Sequence, residues 1–235
     1  MTARYCPNGD KMVLVEFDEE ISPAVHSQVL SLASHLEAVP IGGVVEWIPS
    51  YRSLGVVYDP LQITYRELVA RLQPLDVSIL QVERTSLQRI EIPVCYGGVM
   101  GPDFNFVAEH HQLSPEEVIE LHTTGDYRVY LLGFTPGFPY LGGMSARLAT
   151  PRLAEPRVRV PAGSVAIGGN QTGIYPTESP GGWRLIGRTP LRLFDLQRTP
   201  PFLLAAGDHV LFRAITPAEF SAWETSSGPS THSRF

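Results

Sequence analysis

Apolar segments of strand length alternate with helical apolar repeats in the N-terminal third of the chain. An Asn8-Gly9 pair stands between two apolar segments and indicates a β-hairpin, because its tight turn requires positive φ. Ser22-Pro23 predicts a helix N-terminus, since serine caps helices and proline suits the first turn. Apolar residues follow at helical spacing: Val25, Val29, Leu32 and Leu36.

A second strand pair and a second helix follow in the same third of the chain. Residues 44–48 and 54–58 are apolar segments that predict two paired strands. Thr64-x-x-Glu67 has the spacing of a capping box and predicts the start of a helix. The resulting order, β-β-α-β-β-α, indicates an antiparallel sheet backed by two helices.

The pattern becomes rich in strands from residue 89 onward. Residues 89–96 and 127–134 predict strands, and residues 103–111 and 114–122 between them predict two short helices. Farther along the chain, two apolar segments indicate closing strands: 202–205 and 209–213.

Between these strands lies a segment, residues 132–195, in which Gly or Pro recurs every few residues. A flexible linker of that composition would lack large apolar residues. This segment instead interleaves aromatic and aliphatic residues with the turn residues, which predicts a β-barrel or sandwich with many tight loops. The fold class predicted is α+β, with an N-terminal β-β-α-β-β-α domain at 1–86, a β-rich domain at 87–222 and a flexible tail at 223–235.

Composition excludes several classes of partner. The chain has 235 residues, a net charge of −6 and no Lys/Arg-rich run, so neither nucleic acid nor an anionic membrane is an expected partner. Cys6 and Cys95 lie far apart and form no metal-binding or redox spacing, which favours two reduced thiols. Without a signal sequence or a membrane-length apolar run, the expected location is the cytoplasm.

Long runs in the segment also resemble a known family. They read GFTPGFPYLGGM, PR-x-RVPAGSVAIGGNQTGIYPTESPGGWRLIGRTP and LFD. These runs resemble the B subunit of bacterial ATP-dependent 5-oxoprolinase, a family also known as KipI or allophanate hydrolase subunit 1. The resemblance extends, more weakly, over most of the chain up to about Arg213.

The resemblance implies a fold, an activity and partners. It implies a small α+β domain followed by a cyclophilin-like β-barrel. It also implies ATP-dependent opening of 5-oxoproline to glutamate, by a complex in which the C subunit is the direct partner and the A subunit a further component. The expected cofactor is Mg-ATP at a site shared with the partner subunits. The chain has no Walker A loop and no A/V-M-K-M biotin-attachment motif, and neither biotin nor an intrinsic metal is expected.

Two alternatives of different classes stay open. One family member is known as an inhibitor of a sporulation histidine kinase, so the barrel could bind a protein without turnover. A similar domain pair also occurs in the carboxyltransferase half of biotin-dependent urea carboxylase. That activity would require a biotinylated partner. Fold alone does not decide among these functions.

Two stretches of the chain could have either a structural or a ligand-binding role. The aromatic loop around Phe134 and Phe138 could be part of the core or could form an apolar wall for a ligand. The sequence GGNQTG at 168–173 could be a tight barrel corner or a nest of backbone amides for an anion. Arg157 is suited to bidentate binding of a carboxylate or phosphate. The candidate binding residues are Phe134, Pro136, Phe138, Tyr140, Arg157, Asn170, Gln171, Thr172, Tyr175 and Trp183.

Three further residues are candidates, and no residue is assigned as the catalytic group. Arg52 lies in a Tyr-Arg-Ser run of the N-terminal domain, and His122 either caps a helix or approaches the site. Arg188 lies in the GRTP end of the second motif run. No G-x-S-x-G motif is present, so we expect no covalent serine. The histidine spacing indicates no metal site. His26 lies off the apolar stripe of its predicted helix, and we expect it to face solvent.

Overall fold

The N-terminal unit confirms the predicted β-β-α-β-β-α order. In the computed structural model, which describes residues 3–75 and 88–226, its antiparallel sheet has the strand order β1-β2-β4-β3. The elements are β1 (Arg4–Pro7), β2 (Met12–Glu16), α1 (Pro23–Ala38), β3 (Val44–Pro49), β4 (Ser53–Tyr58) and α2 (Tyr65–Leu72). The Ser22 cap and the Thr64–Glu67 capping box both form.

One face of this sheet packs on the two helices. Buried side chains of β2 and β4 meet buried side chains of α1 and α2, and together they form the core of the unit: Val13, Val15, Leu54, Val56, Val29, Leu32, Leu36, Leu68 and Leu72. The expectation that His26 faces solvent is wrong, because its side chain is fully buried. Helix α1 buries residues well beyond the predicted stripe, including Leu30 and Ala33, and His26 lies in this wider face.

The second unit contains the predicted β-barrel. The chain divides into two compact units, residues 1–87 and 88–235. Among the described residues of the second unit, seven strands close into a barrel in the order β10-β7-β6-β13-β5-β12-β9. They are β5 (Arg89–Tyr96), β6 (Tyr127–Leu132), β7 (Pro139–Gly142), β9 (Ser164–Gly168), β10 (Gln171–Ile174), β12 (Arg184–Arg188) and β13 (His209–Ala214).

Two further strands form a separate ribbon. Strands β8 (Arg157–Val160) and β11 (Ser179–Gly181) pair antiparallel, with Arg157 opposite Gly181. Within the barrel, β5 and β13 run parallel while the other neighbouring strands run antiparallel. The Gly/Pro-rich segment therefore supplies both barrel strands and the ribbon.

One predicted closing strand is wrong. Residues 202–205 form no strand, and Phe202 makes only an isolated bridge with Phe194. Two prolines, Pro200 and Pro201, precede this segment and have no N–H to donate to a strand ladder. The other closing strand, predicted at 209–213, is confirmed as β13.

Helices of the second unit accompany the barrel strands. They are α3 (Phe104–His111), α4 (Pro115–Thr123) and α5 (Pro217–Ser226). Helices α3 and α4 confirm the two predicted short helices. The tail predicted at 223–235 begins within α5, and residues 227–235 lie outside the described residues. Nowhere in the described ranges is a helix both long and apolar enough to span a membrane.

The start of α4 provides a test of the local sequence signal. Ser114 Oγ accepts the Glu117 N–H at 3.2 Å, and the Glu117 carboxylate accepts the Ser114 N–H at 2.8 Å. Replacement Ser114→Ala removes the first bond, and we expect the free energy of unfolding to fall by about 1 kcal/mol. Urea denaturation followed by circular dichroism measures this loss.

Ser221→Ala is the matched control for that change. The Ser221 hydroxyl lies inside α5 and donates to the Pro217 carbonyl, a bond that competes with the helix rather than capping it. We expect this variant to keep wild-type stability. Equal stability of the two variants would show that the capping box contributes nothing.

Candidate functional site

Four aromatic side chains that the sequence analysis singled out lie together beside the barrel. Phe138 is at the centre, with 2% of its surface exposed. Its ring centroid lies 5.0 Å from that of Tyr140, 5.2 Å from Tyr175 and 5.6 Å from Trp183, each in an edge-to-face arrangement. Such pairs stabilise by about 0.5–1.5 kcal/mol beyond their buried area. We refer to Phe138, Tyr140, Tyr175 and Trp183 as the aromatic cluster.

Glycines provide the space that the aromatic cluster occupies. A Cβ atom on Gly168 would lie 2.4 Å from the Trp183 indole, and one on Gly181 would lie 2.3 Å from the Tyr175 hydroxyl. Both distances are well inside van der Waals contact. Any side chain at these two positions would therefore displace a ring of the cluster.

Phe134 extends the cluster to the surface. Its side chain is 63% exposed, and its ring meets Phe138 and Tyr175 edge-on at centroid distances of 5.6 and 6.4 Å. The backbone of Phe134 has φ = 65°, a left-handed conformation that is strained for a bulky residue. Pro136, in the same loop, is exposed. The loop thus holds an aromatic ring in solvent above a buried aromatic cluster.

A largely buried ion pair places a guanidinium next to this region. Arg157 Nη2 donates to Asp103 Oδ1 at 2.8 Å, and Asp103 Oδ2 accepts the Leu185 N–H at 2.7 Å. The other terminal nitrogen of Arg157, Nη1, is shielded from solvent and has no hydrogen-bond partner within the described residues. Arg157 therefore has an unused donor nitrogen.

The electrostatics around Tyr175 show that two cations lie near the aromatic cluster. Burial raises the pKa of the Tyr175 hydroxyl, and a hydrogen bond with the Trp183 backbone together with the charges of Arg152 and Arg157 partly opposes that rise. The Arg152 guanidinium lies over the Trp183 ring, 5.6 Å from its centroid. The hydroxyl stays protonated at neutral pH, because the net direction is upward. The region thus combines aromatic surfaces, a protonated hydroxyl and two guanidinium groups.

The GGNQTG stretch forms a barrel corner. Gly168 pairs with Gln171 across the β9–β10 hairpin, and Gly169 has φ = 65° at its turn. The Gly169 N–H donates to the Thr150 carbonyl at 2.8 Å, so this amide is already used within the chain. Asn170 is exposed at the turn and Gln171 is half-buried. The corner interpretation is therefore the one that the backbone supports.

Two of the candidates, His122 and Thr172, lie in the barrel interior. His122 Nε2 is hydrogen-bonded to Thr172 Oγ1 at 3.0 Å, and its Nδ1 to the Tyr96 hydroxyl at 2.8 Å. Both residues are fully buried. Burial lowers the pKa of His122 to about 3, so the ring is neutral at physiological pH. His122 is not the C-cap of α4, which is Thr124. This side chain anchors α4 to strands β5 and β10.

The remaining two candidates lie on other parts of the chain. Arg52 belongs to the N-terminal unit, where its guanidinium donates to the Asp18 carbonyl at 2.6 Å and approaches Glu16 at 3.5 Å. Arg188 is half-buried on β12, and its Nε has no hydrogen-bond partner among the residues that the structure describes. Arg52 is therefore held by contacts within the N-terminal unit, whereas Arg188, like Arg157, has a buried donor nitrogen without a partner among the described residues.

The sequence analysis missed Asp103, which precedes α3. An aspartate before a helix indicates an N-cap, but the Asp103 side chain makes no capping bond. It turns instead toward β12 and β8. The sequence signal that could have identified Asp103 is a single carboxylate in a chain whose motif segment is rich in arginine. In residues 3–75 and 88–226, no group of three or more His, Cys, Asp or Glu side chains could hold a metal ion.

Comparisons with known proteins extend over most of the chain. The model of the carboxyltransferase domain, subdomain C and D, matches residues 3–204. The 5-oxoprolinase B subunit of Bacillus subtilis is 46% identical over 97% of this chain and 100% of its own length. A crystal structure of a conserved uncharacterized protein from Pyrococcus horikoshii is 49% identical, with a TM-score of 0.56, over 92% of this chain and 100% of that one.

A more distant likeness concerns the fold alone. The crystal structure of the Kluyveromyces lactis urea carboxylase matches with a TM-score of 0.74 and 23% identity. The match covers 94% of this chain and 22% of that chain. The same arrangement of strands and helices therefore occurs inside a much longer protein.

The close approach of Gly181 to the Tyr175 hydroxyl leads to a prediction about stability. Gly181→Ala places a methyl group against the Tyr175 hydroxyl, and we expect an overpacking loss of about 1–3 kcal/mol in the free energy of unfolding. Urea denaturation measures the loss, and tryptophan fluorescence, in a background with Trp47 and Trp223 replaced by Phe, reports the change around Trp183 in the aromatic cluster. Gly182→Ala is the control, because the nearest atom to its Cβ, on Pro156, lies at an ordinary 3.5 Å. Wild-type stability in Gly181→Ala would contradict the close packing.

The neutral His122 ring generates a pH prediction. The unfolded chain takes up a proton near pH 6.5, whereas folded His122 does so only near pH 3, so lowering the pH between these values favours unfolding. We expect this residue to contribute a loss of about 1 kcal/mol per pH unit across that window. The measurement is the free energy of unfolding between pH 7 and 4.

His122→Gln should reduce that pH dependence, because glutamine does not titrate. His110→Gln changes an exposed histidine of the same unit and should leave the dependence unchanged. If the wild type and His122→Gln lost stability in parallel as the pH fell, His122 would not be the buried neutral group.

Proposed function

The chain belongs to the family of 5-oxoprolinase B subunits, and we propose that it is the B subunit of an ATP-dependent 5-oxoprolinase. This enzyme opens the ring of 5-oxo-L-proline to give L-glutamate, with hydrolysis of ATP to ADP and phosphate. The observation that carries the proposal is the 46% identity to the Bacillus subtilis protein over the full length of that protein. The match therefore includes residues of both units of this chain.

The reaction requires that a stable amide be activated. Transfer of the γ-phosphoryl group of ATP to the ring carbonyl oxygen would make that carbon electrophilic and release ADP. Water then adds to that carbon, and the ring C–N bond breaks as the nitrogen gains a proton, which leaves an acyl phosphate. A second water hydrolyses this acyl phosphate to give the carboxylate of glutamate and free phosphate. Fixed cations near the reacting oxygens stabilise the negative charge that develops in such steps.

The described side chains support a substrate-binding role for this chain. The exposed Phe134 and the half-buried Tyr140, at the edge of the aromatic cluster, offer aromatic surface to a small flat ring. The Tyr175 hydroxyl, together with the guanidinium groups of Arg152 and Arg157, offers hydrogen-bond donors. A compact lactam with a carboxylate combines an apolar ring with an anionic group, and such ligands fit apolar sites with a few placed polar groups.

We place ATP binding and the chemical step at a site shared with partner subunits. The chain carries no Walker A loop, and the Gly169 amide of its Gly-rich corner is occupied by Thr150. The C subunit is the proposed direct partner and the A subunit is the third component. Without these partners, the B subunit is inactive in this proposal. The proposed location of the complex is the cytoplasm, which supplies the ATP that the reaction consumes.

The two alternatives receive weaker support than the 5-oxoprolinase proposal, although the carboxyltransferase domain model matches residues 3–204. The likeness to the urea carboxylase, at 23% identity, concerns the fold alone, and activity does not follow from fold. No feature of the described surface favours inhibition of a histidine kinase. The 5-oxoprolinase proposal is therefore the one that we test.

The decisive assay is release of glutamate and ADP from 5-oxoproline and ATP by purified proteins. We expect turnover when this chain is mixed with its candidate A and C subunits, and none from this chain alone, because the active site is shared. Mixtures that omit one component, and a mixture with a non-hydrolysable ATP analogue, are the controls. A complex that assembles but releases no glutamate would refute the proposed function.

A further inference from the structure

Asp103 connects three parts of the barrel unit through one carboxylate. It directly precedes α3, and its side chain is 7% exposed. The Oδ2 atom accepts the backbone N–H of Leu185 on β12 at 2.7 Å, which fixes the carboxylate to a barrel strand. The Oδ1 atom accepts from Arg157 Nη2 at 2.8 Å. Asp103 is therefore a rigid anchor for the Arg157 guanidinium.

The register of the ribbon brings Arg157 to the aromatic cluster. Arg157 on β8 lies opposite Gly181 on β11, and Gly181 is the position where the chain makes room for the Tyr175 hydroxyl. Burial raises the pKa of the Tyr175 hydroxyl, and the positive charge of Arg157 is one of the groups that oppose this rise. One end of the guanidinium is held by Asp103 and the cluster lies beside it.

The Nη1 atom of Arg157 provides the unused donors. It is shielded from solvent and makes no hydrogen bond within the described residues. A buried charged donor without a partner is costly, so a ligand oxygen at this position would be favoured. Arginine held at one nitrogen presents the other in a fixed direction, which suits recognition of an oxyanion.

The surroundings favour a carboxylate over a phosphate. Phosphate sites commonly gather several backbone N–H groups in a Gly-rich loop. In the Gly-rich corner here, Gly169 N–H is already bonded to Thr150. A single anchored arginine beside aromatic rings matches a small ring that carries one carboxylate.

We propose that Asp103 is a positioning residue that orients Arg157 to bind the carboxylate of a small cyclic substrate beside Tyr175. The inference rests on the proposed function for the identity of that substrate, 5-oxoproline. It assigns the substrate contact to Arg157 and the orientation of Arg157 to Asp103. Neither residue takes part in proton transfer.

The test uses the assembled enzyme with Asp103→Asn and with Arg157→Lys. Asp103→Asn keeps the size of the side chain but removes the charge that holds Arg157, and Arg157→Lys removes the planar fork. We expect each to raise the KM for 5-oxoproline about tenfold or more, because a charged hydrogen bond is lost, while kcat changes less and the KM for ATP stays within about twofold. The double variant should be no worse than the poorer single variant.

The matched control is a second ion pair on the same ribbon segment. Arg159 on β8 pairs with Glu178 at 2.8 Å, and both side chains are largely exposed. Glu178→Gln should leave both KM values unchanged. Circular dichroism and thermal melting identify folded variants, and Arg157→Lys decides the matter if Asp103→Asn does not fold. The proposal is overturned if folded Arg157→Lys keeps the wild-type KM for 5-oxoproline. It is also overturned if the KM for ATP rises and the KM for 5-oxoproline does not.

Direct binding separates this proposal from the proposed function. The chain, alone and in the complex, is titrated with 5-oxoproline and with 2-pyrrolidone, the same ring without the carboxylate. Tryptophan fluorescence, in a background with Trp47 and Trp223 replaced by Phe, reports binding near Trp183. Carboxylate-dependent binding that Arg157→Lys weakens about tenfold supports the site even if the complex shows no turnover. Equal affinity for the two compounds, or no binding of 5-oxoproline in either form, overturns it.

Discussion

A carboxylate removed from water must find partners inside the protein, and this requirement organises the barrel unit around Asp103. Its two oxygens take the backbone N–H of Leu185 and the guanidinium of Arg157. The bonds connect the start of α3, a barrel strand and the β8–β11 ribbon. Loss of Arg157 would leave the buried carboxylate with only the more distant Arg184, whose Nη1 lies 4.0 Å from Asp103 Oδ1, and an underpaired buried charge is costly. The same pairing that stabilises the fold therefore also fixes the direction of a cation at the candidate site.

The aromatic cluster depends on a second constraint, which is space. Rings of this size reach close contact with the backbone only where the backbone has no Cβ, as at Gly168 and Gly181. The glycines that gave the sequence the look of a loop-rich segment thus have a packing role in the folded chain. Phe134 shows the opposite case, since a bulky residue accepts a left-handed backbone to hold its ring in solvent. Local strain of this kind persists only where the surroundings enforce it, and it accumulates at functional sites.

Sequence reasoning succeeded where the signal is local and failed where tertiary contacts decide. The capping box at Thr64 and the strands at 89–96 and 209–213 follow from short-range chemistry, and they formed as predicted. The burial of His26 could not be predicted, because the width of the buried face of α1 depends on what packs against it. Asp103 escaped notice for the same reason, since its partner Arg157 is distant in sequence. The aromatic candidates lie together in the folded chain. The hydrogen bond between Thr172 and the buried His122 could not be predicted, because the two residues are distant in sequence.

The two polar regions of the barrel unit are suited to different tasks. The interior pair of His122 and Thr172 is screened from solvent, and a histidine with a pKa of about 3 is uncharged near neutral pH and does not act as a general acid there. The surface region holds its charge permanently on Arg152 and Arg157, and the pKa of Tyr175 is raised, so that its hydroxyl can donate a hydrogen bond but does not ionise. Such a set of groups can bind and polarise a substrate, but it contains no base tuned for proton abstraction. An acid–base group for ring opening must then come from outside this cluster, and this requirement agrees with an active site that partner subunits complete.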